Sequence, residues 1–178
     1  MFPCASIIDR LSRLLQHSDI EETIMTCYQR SPNSQNLKSD IYDGKVWQTL
    51  DNGEGNRFFC GDTLDGRLGF SLNVDWFQPC KHIPTSVGAI YLTILNLPRH
   101  IRYLKHNVIL VGVIPGPSEP SVTEIHHYLE PMVQELELLW NGVSIETTKY
   151  PQGRIFQGAL ILIACDTPAA RKVFISLC

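Results

Sequence analysis

The chain has 178 residues, a formal net charge of −3, 44% hydrophobic residues and 19% charged residues. That length carries one globular domain, or one plus a short appendage, and the composition is too apolar and too weakly charged for a disordered chain. The longest apolar run, Gly158 to Cys165, is far short of the roughly 18 residues a membrane-spanning helix needs, and an acidic balance confines any phosphate contact to a local patch.

In chain order, the amino terminus (Met1, Phe2, Pro3, Cys4) lacks the basic and apolar regions of a secretory signal, which implies an intracellular protein. Ile7, Ile8, Leu11, Leu14 and Leu15 recur at helical spacing. Ser18 and Glu21 have capping-box spacing ahead of Ile20, Ile24 and Cys27 or Tyr28, which predicts a second helix. Arg30 to Ser39 is polar and reads as a loop. Val46, Trp47 and Leu50 suggest one further short helix, ended by Asp51, Asn52 and Gly53. Residues 1–66 hold ten acids and six bases, against eight acids and nine bases in 67–178. Together with the Gly/Asp clusters at 51–56 and 61–66, this divides the chain into a helical amino-terminal segment, 1–66, and a better patterned second part, 67–178.

In the second part Leu68, Phe70, Leu72 and Val74 alternate with smaller or polar residues, and Asp75 ends the run, as in a strand with one buried face. Val87 to Leu97 and Val108 to Ile114 predict two more strands, the latter closed by Pro115, Gly116 and Pro117. Ser121 and Glu124 form a second capping box before Val122, Ile125, Leu129, Met132, Val133, Leu136, Leu139 and Trp140, the clearest helix, which Asn141 and Gly142 stop. Val143 to Thr147 is a short strand candidate. Arg154 to Cys165 is nearly continuous apolar sequence, of the type buried on both faces of a sheet, and Asp166 ends it. Pro168, Ala169 and Ala170 begin a helix. Three linked strands imply an antiparallel meander, and a helix crossing to a buried strand implies a parallel addition beside the first strand. The expected fold is therefore α/β, a ribonuclease H-like mixed sheet of three antiparallel strands, a helix and a parallel strand, incomplete at its carboxyl end and carrying a helical amino-terminal appendage.

Two carboxylates stand out in that arrangement. Asp75 ends the first strand and Asp166 the last; on neighbouring parallel strands they converge. Oxygen ligands of this kind suit a hard divalent cation that also holds substrate phosphates. The plainer alternative is that each Asp only ends its strand, Asp166 as a helix cap before Thr167 and Pro168.

A set of segments adds to this reading: Ser71-Leu-Asn-Val-Asp-Trp-Phe-Gln-Pro79, Gly88-Ala-Ile-Tyr91, Asn96-Leu-Pro98, Val111-Gly-Val-Ile-Pro-Gly-Pro-Ser-Glu-Pro-Ser121, Tyr128-Leu-Glu-Pro-Met-Val133, Leu139-Trp140 and Cys165-Asp-Thr-Pro-Ala-Ala-Arg-Lys172. In order and spacing they resemble the transposases of CACTA (En/Spm) elements, in particular those of fungal genomes. The resemblance runs from Leu68 to Lys172, about 105 of the 178 residues; Phe2 to Leu15 and Tyr42 to Leu50 are similar to the segment that precedes the family's core. It implies a ribonuclease H-like core in which an Asp, Asp, Glu triad uses Mg²⁺ or Mn²⁺ for DNA strand cleavage and joining, in the nucleus, on transposon-end DNA, with a homo-oligomer in the parent protein. Carried over by position, Asp75 and Asp166 are the first two acids and metal ligands. The third acid and a Cys-rich segment lie further downstream in relatives. The chain is therefore expected to be a fragment, inactive alone, or a non-catalytic transposon-derived module that binds DNA or protein.

Other residues admit weaker readings. Arg99, Arg102 and Lys105, interleaved with His100, Tyr103 and His106, form a local basic cluster, and either contact a DNA backbone or line a solvated loop. Arg171 and Lys172 follow Asp166 and join them as DNA-binding candidates. His126 and Glu130, beside His127, have i,i+4 spacing. Cys80 and His82 supply two ligands where tetrahedral zinc takes four. Trp76 is either a wall of the site or ordinary core. Cys4, Cys27, Cys60, Cys80, Cys165 and Cys178 contain no CxxC pair and read as reduced thiols.

Overall fold

The computed structural model describes residues 4–27, 38–61, 64–79, 85–166 and 169–173. Its helices are α1 (Ile7–Leu15), α2 (Ser18–Thr26), α3 (Lys45–Thr49), α4 (Arg99–Arg102) and α5 (Val122–Asn141), and its strands are β1 (Gly66–Phe77), β2 (Val87–Ile94), β3 (Val108–Ile114), β4 (Val143–Ile145) and β5 (Arg154–Ile163). Residues 169–173 form a further helical stretch, α6.

The strands make one mixed sheet in the order β3-β2-β1-β5-β4. β1, β2 and β3 are the antiparallel meander, and β5 lies parallel to β1. The short β4 pairs antiparallel with β5 and adds a fifth strand that the alternation pattern alone leaves unplaced. α5 supplies the crossover between β3 and the β4–β5 edge. It begins at the predicted capping box, in which the Ser121 hydroxyl accepts from the Glu124 N–H and the Glu124 carboxylate accepts from the Ser121 N–H.

Alternation along β1 assigns the two faces. Leu68, Phe70, Leu72 and Val74 join Ile90, Leu92, Ile94, Ile109, Val111 and Phe156 under Ile125, Leu129, Met132 and Leu139 of α5. Ile7, Leu11, Leu14, Leu15, Ile20 and Ile24 lie in the same cluster, so α1 and α2 share one core with the sheet. A second cluster covers part of the opposite face. Trp47 and Phe59 stack at 3.7 Å, with Phe58, Leu95 and Ala159 packed around them. A Cβ on Gly69 would meet the Trp47 ring at 2.6 Å, so that aromatic cover lies directly on the backbone of β1.

Several boundaries differ from the sequence reading. β1 runs on to Phe77, past Asp75, because its last residues pair with Val87 to Ala89. β2 stops at Ile94; Leu95 to Leu97 turn, held by Asn96, whose amide oxygen accepts from the Gly69 N–H at 2.8 Å and whose amide nitrogen donates to the Arg67 carbonyl at 2.7 Å. Ser18 is the first residue of α2 rather than its cap, since His17 occupies the cap position with no side-chain bond. β5 is not buried on both faces throughout: Ile155 and Leu162 are exposed, because the aromatic cluster reaches only part of its length. Cys80, His82, Pro168 and Cys178 lie outside the described residues; Cys4, Cys27, Cys60 and Cys165 are free thiols.

Candidate functional site

The carboxyl ends of β1 and β5 lie side by side. From Gly66↔Phe156 to Phe70↔Leu160 the register is constant; one residue is then slipped, so that Ser71 faces Leu162 and Leu72 faces Ile163. The ladder ends at Leu72↔Ile163; continued three residues further, this shifted register would set Asp75 against Asp166. The unshifted register would set Asp75 against Cys165. Paired strands are about 4.8 Å apart, and residues level in a parallel pair share a face.

At Leu72 the ladder gives way to one last backbone bond and two side-chain contacts that keep the two ends together. The Ala164 N–H donates to the Leu72 carbonyl at 2.8 Å, the Asn73 amide donates to the Ala164 carbonyl at 2.6 Å, and the Val74 N–H donates to Cys165 Sγ at 3.1 Å. Asp75 and Asp166 are both exposed. Alternation puts Asp75 on the face opposite α5, beyond the reach of the Trp47–Phe59 cover. Among the described residues the Asp75 carboxylate makes no hydrogen bond or ion pair. Asp166 caps α6: its Oδ1 accepts from the Ala169 N–H at 2.9 Å, and its carbonyl accepts from the Ala170 N–H.

The two carboxylates make a common negative field. Burial pushes the Cys165 thiol up, and the charges of Asp166 and Asp75 add to that against the lowering contact from the Val74 N–H. The Tyr91 hydroxyl is likewise raised by burial and then by Asp75. Two acceptor-only carboxylates at one sheet end fit a hard divalent cation, which takes one or two protein carboxylates and keeps several waters. No cluster of three or more His, Cys, Asp or Glu side chains suited to a metal occurs among the described residues, including around His126 and Glu130.

Trp76 packs against the main core, with Gly88 opposite it in the ladder. A Cβ at Gly88 would stand 2.6 Å from the ring, so glycine is what lets the indole lie across β2. Lys172 sits over that indole at 5.9 Å and pairs with Glu119 at 2.9 Å, tying α6 to the β3–α5 connector. Hydropathy carries no signal for the Lys172–Glu119 pair or for the Asn73 and Cys165 contacts, because each depends on chain segments far apart in sequence.

The basic candidates separate. α4 joins the end of β2 to the start of β3, so Arg99, Arg102 and Lys105 lie at the opposite end of the sheet from Asp75. Arg102 is buried there: it pairs with Asp40 at 2.9 Å, donates Nε–H to the Leu97 carbonyl and rests over the Tyr42 ring. Its guanidinium therefore braces the turn after β2 and leaves the proposed surface cluster. Arg99 is exposed and donates to the Ser39 carbonyl; Lys105 and Arg171 are exposed.

Residues 36–174, more than three quarters of the chain, match the family model described as Transposase family tnp2. The chain belongs to this transposase family. No curated protein and no solved structure matches it. The match to the tnp2 family starts thirty residues ahead of β1, and so takes in α3 and the Trp47–Phe59 cluster together with the whole sheet. No helix among the described residues of this tnp2-family protein is long and apolar enough to cross a membrane.

Proposed function

We propose that this tnp2-family chain carries the first two metal-binding acids of a DNA strand-cleaving and strand-joining core, Asp75 and Asp166, on a ribonuclease H-like sheet of the CACTA (En/Spm) type. The observation that supports the reading is the one-residue slip between β1 and β5, a register that, continued past Leu72↔Ile163, would set the two exposed carboxylates level. Mg²⁺ or Mn²⁺ is the matching ion, and when bound supplies Lewis-acid polarisation of a phosphoryl oxygen and an activated water. Asp75 offers an uncommitted carboxylate. Asp166 keeps one oxygen on the Ala169 N–H, which fixes its orientation and leaves the other for a ligand. Asn73 and Cys165 hold the strand ends in place, and the Lys172–Glu119 pair fixes α6 behind Asp166. Transposon-end DNA is the substrate and the nucleus the location under this reading.

A non-catalytic module derived from such a transposase is the second reading. It is favoured by the absence of a third converging ligand among the described residues. Mn²⁺ titration of the 178-residue chain, followed by nicking of supercoiled DNA, separates the two. Wild type is expected to bind Mn²⁺, and Asp75→Ala or Asp166→Ala to weaken binding at least about tenfold through removal of one charged ligand. Unchanged binding in Asp75→Ala rejects the metal site; binding with no nicking supports the module.

A further inference from the structure

A cleft of about 580 Å³ opens between α1 and the edge strand β3. Its charged lining is basic without exception: Arg10 and Arg13 from α1 and Lys105 from the turn before β3, flanked by the imidazoles of His17 and His106, with no carboxylate. All five of these side chains are exposed, and among the described residues none of them makes a hydrogen bond or ion pair. Tyr91 adds an aromatic wall. In a chain of net charge −3 three unpaired cations, Arg10, Arg13 and Lys105, lining one cleft are a local exception.

The cleft is also built on fixed elements. Ile7, Leu11, Leu14 and Leu15 anchor the other side of α1 in the core. The Ala5 N–H donates to the Val111 carbonyl at 2.7 Å, and Glu135 accepts from the Ser6 hydroxyl and the Ile8 N–H. The two arginines therefore stand at i, i+3 on a helix that cannot easily turn, facing a lysine held by a separate turn.

We infer that this cleft is a docking site for the phosphodiester backbone of duplex DNA, distinct from the Asp75–Asp166 pair. Cations from α1 and from the turn before β3, with no acid in the lining itself, match a row of phosphates, and such contacts position a duplex without reading its sequence. The choice of DNA over another polyanion rests on membership of the transposase family, and not on the metal-site reading.

The test is fluorescence anisotropy with a labelled DNA duplex in EDTA, over about 50 to 200 mM salt. Chelation removes any part played by the Asp75–Asp166 site, so a failed Mn²⁺ titration leaves this measurement intact. Wild type should bind with a steep salt dependence. Reversal of both arginines (Arg10→Glu with Arg13→Glu) should weaken binding at least about tenfold and flatten the log–log salt slope by about 2, one for each phosphate that is no longer neutralised. Lys105→Glu should act in the same direction. Arg57→Glu, an exposed arginine outside the cleft, should bind as wild type. No duplex binding by wild type, a double reversal that binds normally, or an equal loss in Arg57→Glu each overturns the proposal. Unchanged circular dichroism confirms that the exposed substitutions leave the fold in place.

Discussion

Cys165 reports on the site at the level of a single side chain. Its sulfur accepts the Val74 N–H while Asp166 and Asp75 sit near enough to raise its pKa, with burial as the larger cause. The thiolate is the reactive form, so alkylation of Cys165 should be slow at neutral pH and rise only in the alkaline range. Asp75→Asn removes one of the charges that oppose ionisation. The pH profile of Cys165 alkylation, followed by peptide mass spectrometry, should then move to lower pH; an unmoved profile means the two groups are not coupled. The same shift sets a sign for stability. A thiol whose pKa is raised on folding contributes stability that is complete below its unfolded value of about 8.5 and is lost as pH climbs through the folded value. Unfolding midpoints should accordingly fall above about pH 8.5, and less so in Cys165→Ser.

Among the elements, the β1–β2 ladder sets the position of the indole beside the site. Trp76 faces Gly88, and there is no room for a β-carbon between them. Gly88→Val should force the ring aside and cost about 1–3 kcal/mol, as overpacking usually does, read as a lower midpoint in urea unfolding. Stability equal to wild type would mean that Trp76 relocates freely. The elements were also the most legible part of the sequence. α5 shows a capping box, a single apolar stripe and a terminal glycine, all local signals, and it spans Val122–Asn141 as they predict. The strand β1 is equally plain from alternation, and β3 from the Pro115, Gly116 and Pro117 that close it. Ser18 misled because capping-box spacing is only a local propensity; the chain instead enters α2 through His17.

At the scale of the molecule, one core joins the amino-terminal helices to the sheet. Leu11 and Ile24 are fully buried among the same residues as Phe70 and Leu129. Leu11→Ala should therefore cost about 2–5 kcal/mol of the stability of the whole protein, through reduced burial and the cavity left behind. Chemical denaturation should show a single transition moved to lower denaturant. A separate early transition of α1 and α2, with the sheet unaffected, would mean that the helices are independently held. The charge contrast between 1–66 and 67–178 is real in the sequence, yet it carries no information about which element packs on which.

The sequence alone determined what local chemistry controls: where strands alternate, where α5 starts and stops, that an Asp stands near the end of β1 and another just after β5, and a motif order that pointed to a transposase. Only the tertiary structure decided the features that depend on pairing distant segments. A one-residue slip between β1 and β5 sets Ser71 against Leu162 and Leu72 against Ile163, and no periodicity encodes it, because it arises from how two strands accommodate each other's backbone. Arg102, basic and interleaved with aromatics, read as a surface residue until Asp40, more than sixty positions earlier, satisfied its charge inside the fold. Arg10 and Arg13 became notable only when α1 laid them opposite Lys105. Charge and hydropathy are written residue by residue, whereas a site is a coincidence of residues in space.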